Sequence, residues 1–480
     1  MNIDWKSVVY GMSAVISTLI VASTAAAAQS SAMSAQSSLS KPPAYPLRVS
    51  SNHRYLVDQN GTPFLIVGDT PQGLMGRLTE AEAERYFADR EAHGFNTLGW
   101  IDVECAGRDY PTNTDATTPD GIRPFSGFVP GGTDFAHYDL SRPNDAYFVR
   151  LDHIVQLATN HHLLVFLDPM ETVGWLPTLR NNGPKAAYAY GQYLGKRFRR
   201  FRNLMWVSGN DFNRWTVPED DDLAQAVAKG IRSVAPNQLQ TVELHVRTSS
   251  SFDDPRWVPL SNLNGTYTYS PTYIQMLHSY NQRPIAPTFL MEAHYDLEKV
   301  GEPTDYGTPL VLRKEEYWTM LSGGVGQFYG NAYTWSFKNE WPSHIDTPGV
   351  TQIGYWKSFF SSIRWQDLIP DQKRTVVTSG LGAYGNVDTR VSESEFATAA
   401  RTRDGSTVVV YMPSVRTITV NMASLNGPAK VRWFDPSNGT YDDVSGLPIA
   451  NHGSHQFTPP GQNHAGDGDW VLLLEASRTP

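Results

Sequence analysis

Two carboxylates stand at the ends of apolar, strand-like runs. The stretch LMWVSGND (204–211) ends in Asn210 and Asp211, and PTFLMEAHYD (287–296) carries Glu292. Such a pair facing one cleft can cleave a glycosidic bond, because one carboxyl protonates the leaving oxygen while the other attacks the anomeric carbon or activates water. The alternatives are a helix cap for Asp211 and a salt-bridged strand residue for Glu292. The cap is the weaker alternative, because the next helical pattern begins near Pro218.

Further polar and aromatic side chains follow the other strand-like runs. Placed at the same edge of a sheet, they would surround the two carboxylates and contact the hydroxyl groups and ring faces of a sugar. His245 is expected to position substrate or to support the structure, not to act as a base. The candidate substrate-binding residues are Asp69, Trp100, Asp168, Glu171, Asn210, His245, Tyr269, Tyr329 and Trp335.

Other chemistries lack their signatures. The densest histidine group, at 160–162, falls between a helix pattern and the start of a strand, away from the strand ends, and no pair of Cys and His has metal-site spacing. The serine-hydrolase pattern GxSxG is missing from the sequence, and the single cysteine, Cys105, has no accompanying histidine motif. Cys105 is therefore predicted to be a packed structural thiol. We expect neither a metal nor a cofactor.

The elements that must position these residues alternate regularly along the chain. Eight apolar strand patterns, from FLIVGDT (64–70) to GVGQFYGN (324–331), are nearly all followed by a helical pattern. Continuous apolar strands with intervening helices indicate parallel strands buried on both faces. Eight such units predict a (β/α)₈ TIM barrel over 45–370, with the strand ends and the long loops 104–144 and 331–348 at one mouth. A doubly wound open sheet is the competing fold, but the chain has no GxGxxG in the required place.

The two ends of the chain have a different texture. Residues 371–480 contain short alternating strands separated by Gly, Asn and Asp turns, which predicts a small all-β antiparallel sandwich domain. Residues 1–28 carry Lys6, then an apolar run, then small residues, which is the order of a secretory signal peptide. Residues 29–44 are expected to be a flexible linker. We therefore expect a secreted or periplasmic protein without stable membrane insertion after signal cleavage.

The composition narrows the class of partner. The chain of 480 residues has a formal net charge of −9 and no run of basic residues, which argues against a nucleic-acid partner. It also has 13 Trp, 23 Tyr and 20 Phe, whose rings suit the apolar faces of sugars. An oligosaccharide or polysaccharide substrate is the partner these features favour. The sequence leaves the oligomeric state open.

Several of these stretches together resemble a known family. YLVDQNGTPFLIVGDT, GFNTLGW, DPMETVGWL, MWVSGND and FLMEAHY are similar to the apiosidase-like glycoside hydrolases. VRWFDPSNGTY, with FTPPGQNHAGDGDWVLLLE, resembles the β-sandwich that often follows them and is named as a collagen-binding domain of a collagenase. A departure is GDTPQGL, where members often carry an aromatic residue after GDT.

The resemblance implies a role for each carboxyl. Asp211 in SGND would be the acid/base and Glu292 in LMEAHY the nucleophile of a retaining mechanism. The resulting hypothesis is an exported glycoside hydrolase acting on O-glycosidic bonds. The alternative is a non-catalytic carbohydrate- or matrix-binding protein on a degenerate barrel.

Overall fold

The computed structural model describes residues 41–104, 115–301, 304–446 and 448–477. Cys105, the predicted signal peptide and most of the predicted linker lie outside these residues, so the predictions made for them stay predictions. Within the described residues, no helix is both long and apolar enough to cross a membrane.

The first three quarters of the chain alternate strands and helices, as the sequence predicts. In chain order the elements are β1 (Arg48–Val49), β2 (Leu56–Val57), β3 (Pro63–Phe64), β4 (Ile66–Asp69), α1 (Leu74–Arg77), α2 (Glu80–Ala92), β5 (Thr97–Asp102), α3 (Asp145–Asn160), β6 (Leu164–Asp168), α4 (Thr172–Phe198), β7 (Leu204–Phe212), α5 (Pro218–Val234), β8 (Gln240–Leu244), β9 (Thr248–Ser250), β10 (Asn264–Thr268), α6 (Thr272–Asn281), β11 (Thr288–Glu292), β12 (Lys299–Val300), β13 (Asp305–Tyr306), α7 (Pro309–Leu321), β14 (Gly326–Tyr329) and α8 (Pro348–Ser361).

Eight of these strands form the predicted barrel. The sheet order is β8-β7-β6-β5-β4-β14-β11-β10-β9, and every pairing from β8 to β10 is parallel. Only β9 runs antiparallel, along the free edge of β10. The TIM-barrel fold is therefore confirmed, with one open seam between β8 and β10.

Side chains and loop atoms bridge this seam in place of a strand ladder. The Thr241 hydroxyl donates to the Leu263 carbonyl at 3.0 Å, and the Ser251 hydroxyl donates to the Val242 carbonyl at 2.6 Å. The Asn262 N–H donates to the Gln240 carbonyl at 2.7 Å. These bonds satisfy polar groups that a closed barrel would pair through its backbone.

The barrel interior is a packed aromatic core. The Phe328 ring lies 4.9 Å from the Phe166 ring, 5.1 Å from the Phe289 ring and 5.6 Å from the Trp100 ring, measured between centroids. Gly99 makes room for it, because a Cβ there would lie 2.6 Å from the Phe328 ring. Polar side chains that serve substrate must therefore sit above this layer, at the carboxyl ends of the strands.

Helix boundaries follow their sequence signals. Thr79 and Glu82 form a reciprocal capping box at the start of α2, where the sequence places a Thr79 cap. Helix α5 begins at Pro218, and its N-cap residue is Val217. Asp211 therefore does not cap the helix that follows its strand.

The C-terminal part is the predicted antiparallel sandwich. Its strands are β15 (Leu368–Pro370), β16 (Val377–Ser379), β17 (Thr398–Thr402), β18 (Thr407–Met412), β19 (Ile418–Asn421), β20 (Ala429–Phe434), β21 (Tyr441–Asp443), β22 (Ser454–Phe457) and β23 (Trp470–Ala476). They form a six-stranded sheet, β15-β17-β18-β23-β20-β21, and a three-stranded sheet, β16-β19-β22. The predicted domain boundary before residue 371 falls directly after β15.

Helix α7 joins the sandwich to the barrel. Buried Arg313 forms a two-pronged ion pair with Asp469, with contacts of 2.9 and 2.8 Å. The Lys314 ammonium donates to three carbonyl groups of the segment 391–394, and the Trp318 indole N–H donates to the Phe396 carbonyl at 2.9 Å. The barrel and the sandwich therefore share buried polar contacts as well as apolar ones.

Candidate active site

Three carboxyl groups from three barrel strands meet at the mouth of the barrel. Asp211 comes from β7, Glu243 from β8 and Glu292 from the end of β11, and each offers one oxygen that lies within 4.8 Å of the other two. Glu243 and Glu292 are 1% and 6% exposed, whereas the Asp211 side chain is 40% exposed. Two buried acids thus stand beside one that solvent reaches.

A bulge in β7 aims Asp211 into this group. Ser208 pairs with Val242 and Phe212 with Leu244, so β7 uses four residues where β8 uses two. Gly209, Asn210 and Asp211 have φ values of 120°, 60° and 53°, which place three consecutive residues in the left-handed region.

The sequence SGND suits this geometry. Asn and Asp tolerate left-handed backbone better than most residues. Only glycine fits before them, because a Cβ on Gly209 would lie 2.4 Å from the Glu243 carbonyl oxygen. The Asn-Asp pair at the end of an apolar strand is therefore a backbone requirement of the bulge as well as a source of polar groups.

Hydrogen bonds from tyrosines oppose the burial of Glu292. The Tyr269 hydroxyl donates to Oε1 of Glu292 at 2.5 Å. Burial raises the pKa of Glu292 well above its usual range, and the nearby Asp211 charge acts in the same direction. Hydrogen bonds from Tyr269 and Tyr295 lower that pKa again, because they stabilise the ionised carboxylate.

Glu243 receives less support for a negative charge. Its Oε2 accepts the backbone N–H of Asp211 at 2.8 Å, and its Oε1 has no hydrogen-bond partner among the described residues. Burial raises the pKa of Glu243 well above its usual range, and the charges of Glu292 and Asp211 raise it further. Of the two buried acids, Glu243 thus has fewer hydrogen bonds that stabilise its ionised form.

Two predicted residues border the group. His245 Nδ1 lies 3.8 Å from Oδ1 of Asp211, and the imidazole packs edge-on against Tyr267 with ring centroids 4.8 Å apart. Tyr269 packs edge-on against Tyr267 in turn, at 5.4 Å. The structure therefore brings Asp211, Glu292, His245 and Tyr269 together.

A second group of acids lies deeper, at the ends of β5 and β6. The Asn210 amide lies 3.4 Å from both carboxylate oxygens of Asp102. Asp168 is fully buried, and burial followed by the Asp102 charge raises its pKa well above the usual range. Glu171 is 2% exposed, and its carboxylate caps α4 by accepting the N–H groups of residues 173 and 174 at 2.5 and 2.7 Å. Asp168 Oδ1 accepts the Met170 N–H at 3.1 Å, so each of these two predicted residues bonds to the segment that follows β6.

The remaining predicted residues make internal contacts. Asp69 is fully buried and forms an ion pair with Arg90 at 3.0 Å. Trp100 lies in the barrel core against Phe328. Tyr329 is buried with its hydroxyl donating to Asp296 at 2.8 Å, and the Trp335 carbonyl accepts the Gly73 N–H at 2.7 Å. Their predicted role in binding substrate stays a prediction.

The sequence did not single out three residues that lie at or beside the three carboxyls: Glu243, Tyr267 and Tyr295. Side chains two positions apart on a strand point to the same face. Glu243 precedes His245 by two in TVELHV, and Tyr267 precedes Tyr269 by two in NGTYTYS. The spacing therefore carried a signal for both, whereas Tyr295 lies after the strand end and carried none.

The oxygens of Asp211, Glu243 and Glu292 are also close enough to ligate a cation. Asp89, His93 and Asp346 form a second group of this kind on the described surface. Hard divalent cations favour such oxygen ligands, although exposed acidic groups are common without an ion. The expectation of no metal stays a prediction.

Two family profiles match the chain. The profile described as "Apiosidase-like, catalytic domain" matches residues 50–367, and that described as "Putative collagen-binding domain of a collagenase" matches residues 387–475. No curated protein matches the chain.

Solved structures share the fold at low sequence identity. A structure titled "Glycoside hydrolase" is 20% identical with a TM-score of 0.75, covering 91% of this chain and 98% of its own. A glycoside hydrolase family 5 protein from Bacteroides vulgatus is 19% identical with a TM-score of 0.74, covering 90% and 94%. At these identities the likeness concerns the fold alone, whereas the catalytic-domain profile spans most of the chain. The chain therefore belongs to the apiosidase-like family of glycoside hydrolases.

Proposed function

We propose that this protein is an exported, retaining glycoside hydrolase in which Glu292 is the nucleophile and Asp211 the acid/base. The observation that carries the proposal is the spacing of the two carboxyls, whose nearest oxygens lie within 4.8 Å. Retaining enzymes hold their carboxyls about 5–5.5 Å apart, whereas inverting enzymes leave about 6.5–9.5 Å for a water molecule.

The two carboxyls have environments that suit different roles. Glu292 accepts a hydrogen bond from the Tyr269 hydroxyl, and this bond favours the ionised form that a nucleophile needs. Asp211 is the more exposed of the two, and it stands where a leaving group departing toward solvent would need a proton.

The reaction would proceed in two displacements. Glu292 forms a bond to the anomeric carbon while the bond to the leaving oxygen breaks, and that oxygen takes the Asp211 proton. Asp211, now ionised, then removes a proton from water, and the resulting hydroxide attacks the anomeric carbon and releases Glu292. Both carboxyls return to their initial protonation states.

A panel of aryl glycosides tests the hydrolase. The wild type is expected to release aryl alcohol from at least one glycoside, and Asp211→Asn and Glu292→Gln should each lower kcat at least about 10³-fold. Glu316→Gln, at a buried carboxyl on α7, is the matched control and should retain activity. Wild-type activity in Asp211→Asn or Glu292→Gln would contradict the roles assigned to these two residues. If the wild type bound sugars without hydrolysing them, the binding-protein alternative would be favoured.

The stereochemical course tests the retaining mechanism separately. Proton NMR of the first product formed from an active glycoside should show the anomeric configuration of the substrate. Initial formation of the opposite anomer would contradict a retaining mechanism while leaving the hydrolase intact.

Export is a separate proposal that rests on the composition of residues 1–28. Their basic residue, apolar run and small residues favour a cleavable signal. In a bacterial host the processed protein should appear outside the cytoplasm with a new N-terminus near residue 29, which mass spectrometry can detect. Full-length protein in the cytoplasm would contradict export.

A further inference from the structure

We propose that Glu243 is a third carboxyl of the active site, a positioning residue that holds Asp211 through its backbone N–H and shares its proton equilibrium with Asp211 and Glu292. The inference deepens the proposed function and rests on it for the roles of Asp211 and Glu292. Its basis is the geometry of the three carboxyls.

The contact with Asp211 gives Glu243 its positioning role. The Asp211 N–H points at Oε2 of Glu243 at 2.8 Å, from a residue whose φ is 53°. A left-handed backbone is unfavourable for a residue other than glycine and persists where its surroundings hold it. The Glu243 carboxyl is one such support, and the Glu243 backbone, pressed against Gly209, is another.

The surroundings of Glu243 couple its proton to the other two carboxyls. The titratable groups facing it are Asp211 from β7, Glu292 from β11, Asp168 from β6, Tyr267 from β10 and Tyr295 after β11. Within the described part of the chain, Glu243 forms no salt bridge with lysine or arginine. His245 also borders the set, with Nδ1 3.8 Å from Oδ1 of Asp211. Carboxyls this close oppose one another's ionisation, so they titrate as a set.

An aspartic acid at the acid/base position makes this coupling useful. Asp is intrinsically more acidic than Glu, with reference pKa values of about 3.9 and 4.3. Whichever carboxyl of the set holds the proton, the negative charges of the other two oppose its loss.

Two substitutions of Glu243 separate its role in positioning Asp211 from the effect of its charge. In Glu243→Gln the side-chain carbonyl can still accept the Asp211 N–H, while the titrating proton is lost. We expect kcat at the optimum within about tenfold of the wild type, and both limbs of the pH profile of kcat/KM shifted to lower pH by about half a unit or more. In Glu243→Ala the acceptor is lost, and kcat should fall about 10²-fold at every pH.

The same pH profiles provide the control and the results that would contradict the inference. Glu316→Gln removes a buried carboxyl outside the group and should leave both limbs in place. A Glu243→Gln profile that superimposes on the wild type would overturn the coupling. Wild-type kcat in Glu243→Ala would overturn the positioning role.

A titration that needs no substrate completes the test. With ¹³C-labelled carboxyl groups, assigned through Glu292→Gln and Asp211→Asn, NMR should show the Glu292 resonance titrating at lower pH in Glu243→Gln than in the wild type. An unchanged Glu292 titration overturns the inference. Failure of the wild type to hydrolyse any glycoside of the panel overturns the proposed function instead. Calorimetric binding of Ca²⁺ or Mg²⁺ that Glu243→Gln abolishes would also overturn the inference, because the three carboxyls would then be a cation site.

Discussion

At the scale of single residues, the Tyr269 phenol stabilises the negative charge of Glu292, the proposed nucleophile. The Tyr269 hydroxyl donates to Glu292 at 2.5 Å, and this hydrogen bond lowers the pKa that burial raises. A hydrogen bond to a charged group contributes about 1.5–3 kcal/mol. Burial and the Asp211 charge raise the pKa of Glu292, the hydrogen bonds from Tyr269 and Tyr295 lower it, and their balance decides how far the pH must rise before Glu292 ionises.

Tyr269→Phe is expected to shift the acidic limb of the pH profile to higher pH. Removing the donor leaves ionised Glu292 less stable, so its pKa rises further and a higher pH is needed to ionise it. The value of kcat/KM at pH 6 should fall about 10- to 100-fold. Steady-state kinetics from pH 4 to 9 on an active glycoside measure both effects.

Tyr317→Phe is the matched control for this substitution. Tyr317 is fully buried, and its hydroxyl has no hydrogen-bond partner in the part of the chain that the structure describes. Its pH profile should match the wild type. An acidic limb that stays in place in Tyr269→Phe would show that the phenol does not tune Glu292.

The sequence identified only some of the clustered residues, for a physical reason. Asp211 and Glu292 could be identified because each ends an apolar run, where a charged side chain is unexpected. Glu243 lies inside a run, where a lone polar residue is compatible with ordinary strand alternation. Asp69 and Trp100 also end or interrupt runs, yet the structure places them against Arg90 and Phe328.

At the scale of elements, the bulge in β7 is what turns a strand end into a site. Residues 209–211 are left-handed and lie between Ser208 and Phe212, which pair with Val242 and Leu244 of β8. The bulge they form places the Asp211 carboxyl beside that of Glu292. Such a detour requires glycine at its first position, because the β8 backbone is within contact distance. The bulge thus makes the site depend on a residue that has no side chain.

Gly209→Ala should lower both stability and activity. The substitution combines a φ of 120°, which alanine rarely adopts, with a Cβ 2.4 Å from the Glu243 carbonyl oxygen. We expect a loss of about 3 kcal/mol or more in the free energy of unfolding, and at least about 10²-fold in kcat, because Asp211 is displaced. Urea denaturation and steady-state kinetics are the measurements.

Gly61→Ala isolates the backbone contribution. Gly61 also has a positive φ, of 84°, but a Cβ there meets nothing within 4 Å. Its stability loss should be about 1 kcal/mol, with unchanged kcat. Equal losses in the two variants would show that contact with β8 does not restrict Gly209.

Strands and helices were predictable at this scale, whereas the bulge and the seam were not. The eight barrel strands could be read because parallel strands buried on both faces are continuous apolar runs. Nothing in LMWVSGND distinguishes a strand end from a bulge that continues to Phe212. The seam between β8 and β10 depends on hydroxyl groups such as Thr241 and Ser251, whose partners are set by tertiary structure.

At the scale of the whole molecule, the barrel and the sandwich share one buried apolar cluster, beside a cluster that belongs to each part alone. Trp318 and Phe360 of the barrel helices belong to the same buried cluster as Tyr411 and Leu473 of the sandwich. Tyr317 stacks on Tyr411 with ring centroids 5.1 Å apart. Because neither part buries this surface alone, we expect the two to unfold in a single transition.

Asp469→Asn should destabilise both parts together. Arg313 is 1% exposed and pairs with Asp469, which is fully buried, so removing this negative charge leaves the buried cation with the partly exposed Asp467 as its carboxylate partner. Breaking a buried ion pair from one side costs about 3–5 kcal/mol. Asp467 still contacts Arg313 at 2.7 Å in this variant, so we expect the loss in the free energy of unfolding to lie near the lower end of this range. Urea denaturation followed by tryptophan fluorescence and by far-UV circular dichroism should give one midpoint, shifted equally for both probes.

Glu475→Gln provides the comparison that makes the result specific to the interface. Its partner Arg432 lies in the same sheet of the sandwich, and the two side chains are 38% and 24% exposed, so their ion pair is screened by water. The loss there should be within about 1 kcal/mol. Two separate midpoints in the wild type would contradict the shared core. A loss in Asp469→Asn no larger than in Glu475→Gln would mean that the apolar contacts alone join the sandwich to the barrel.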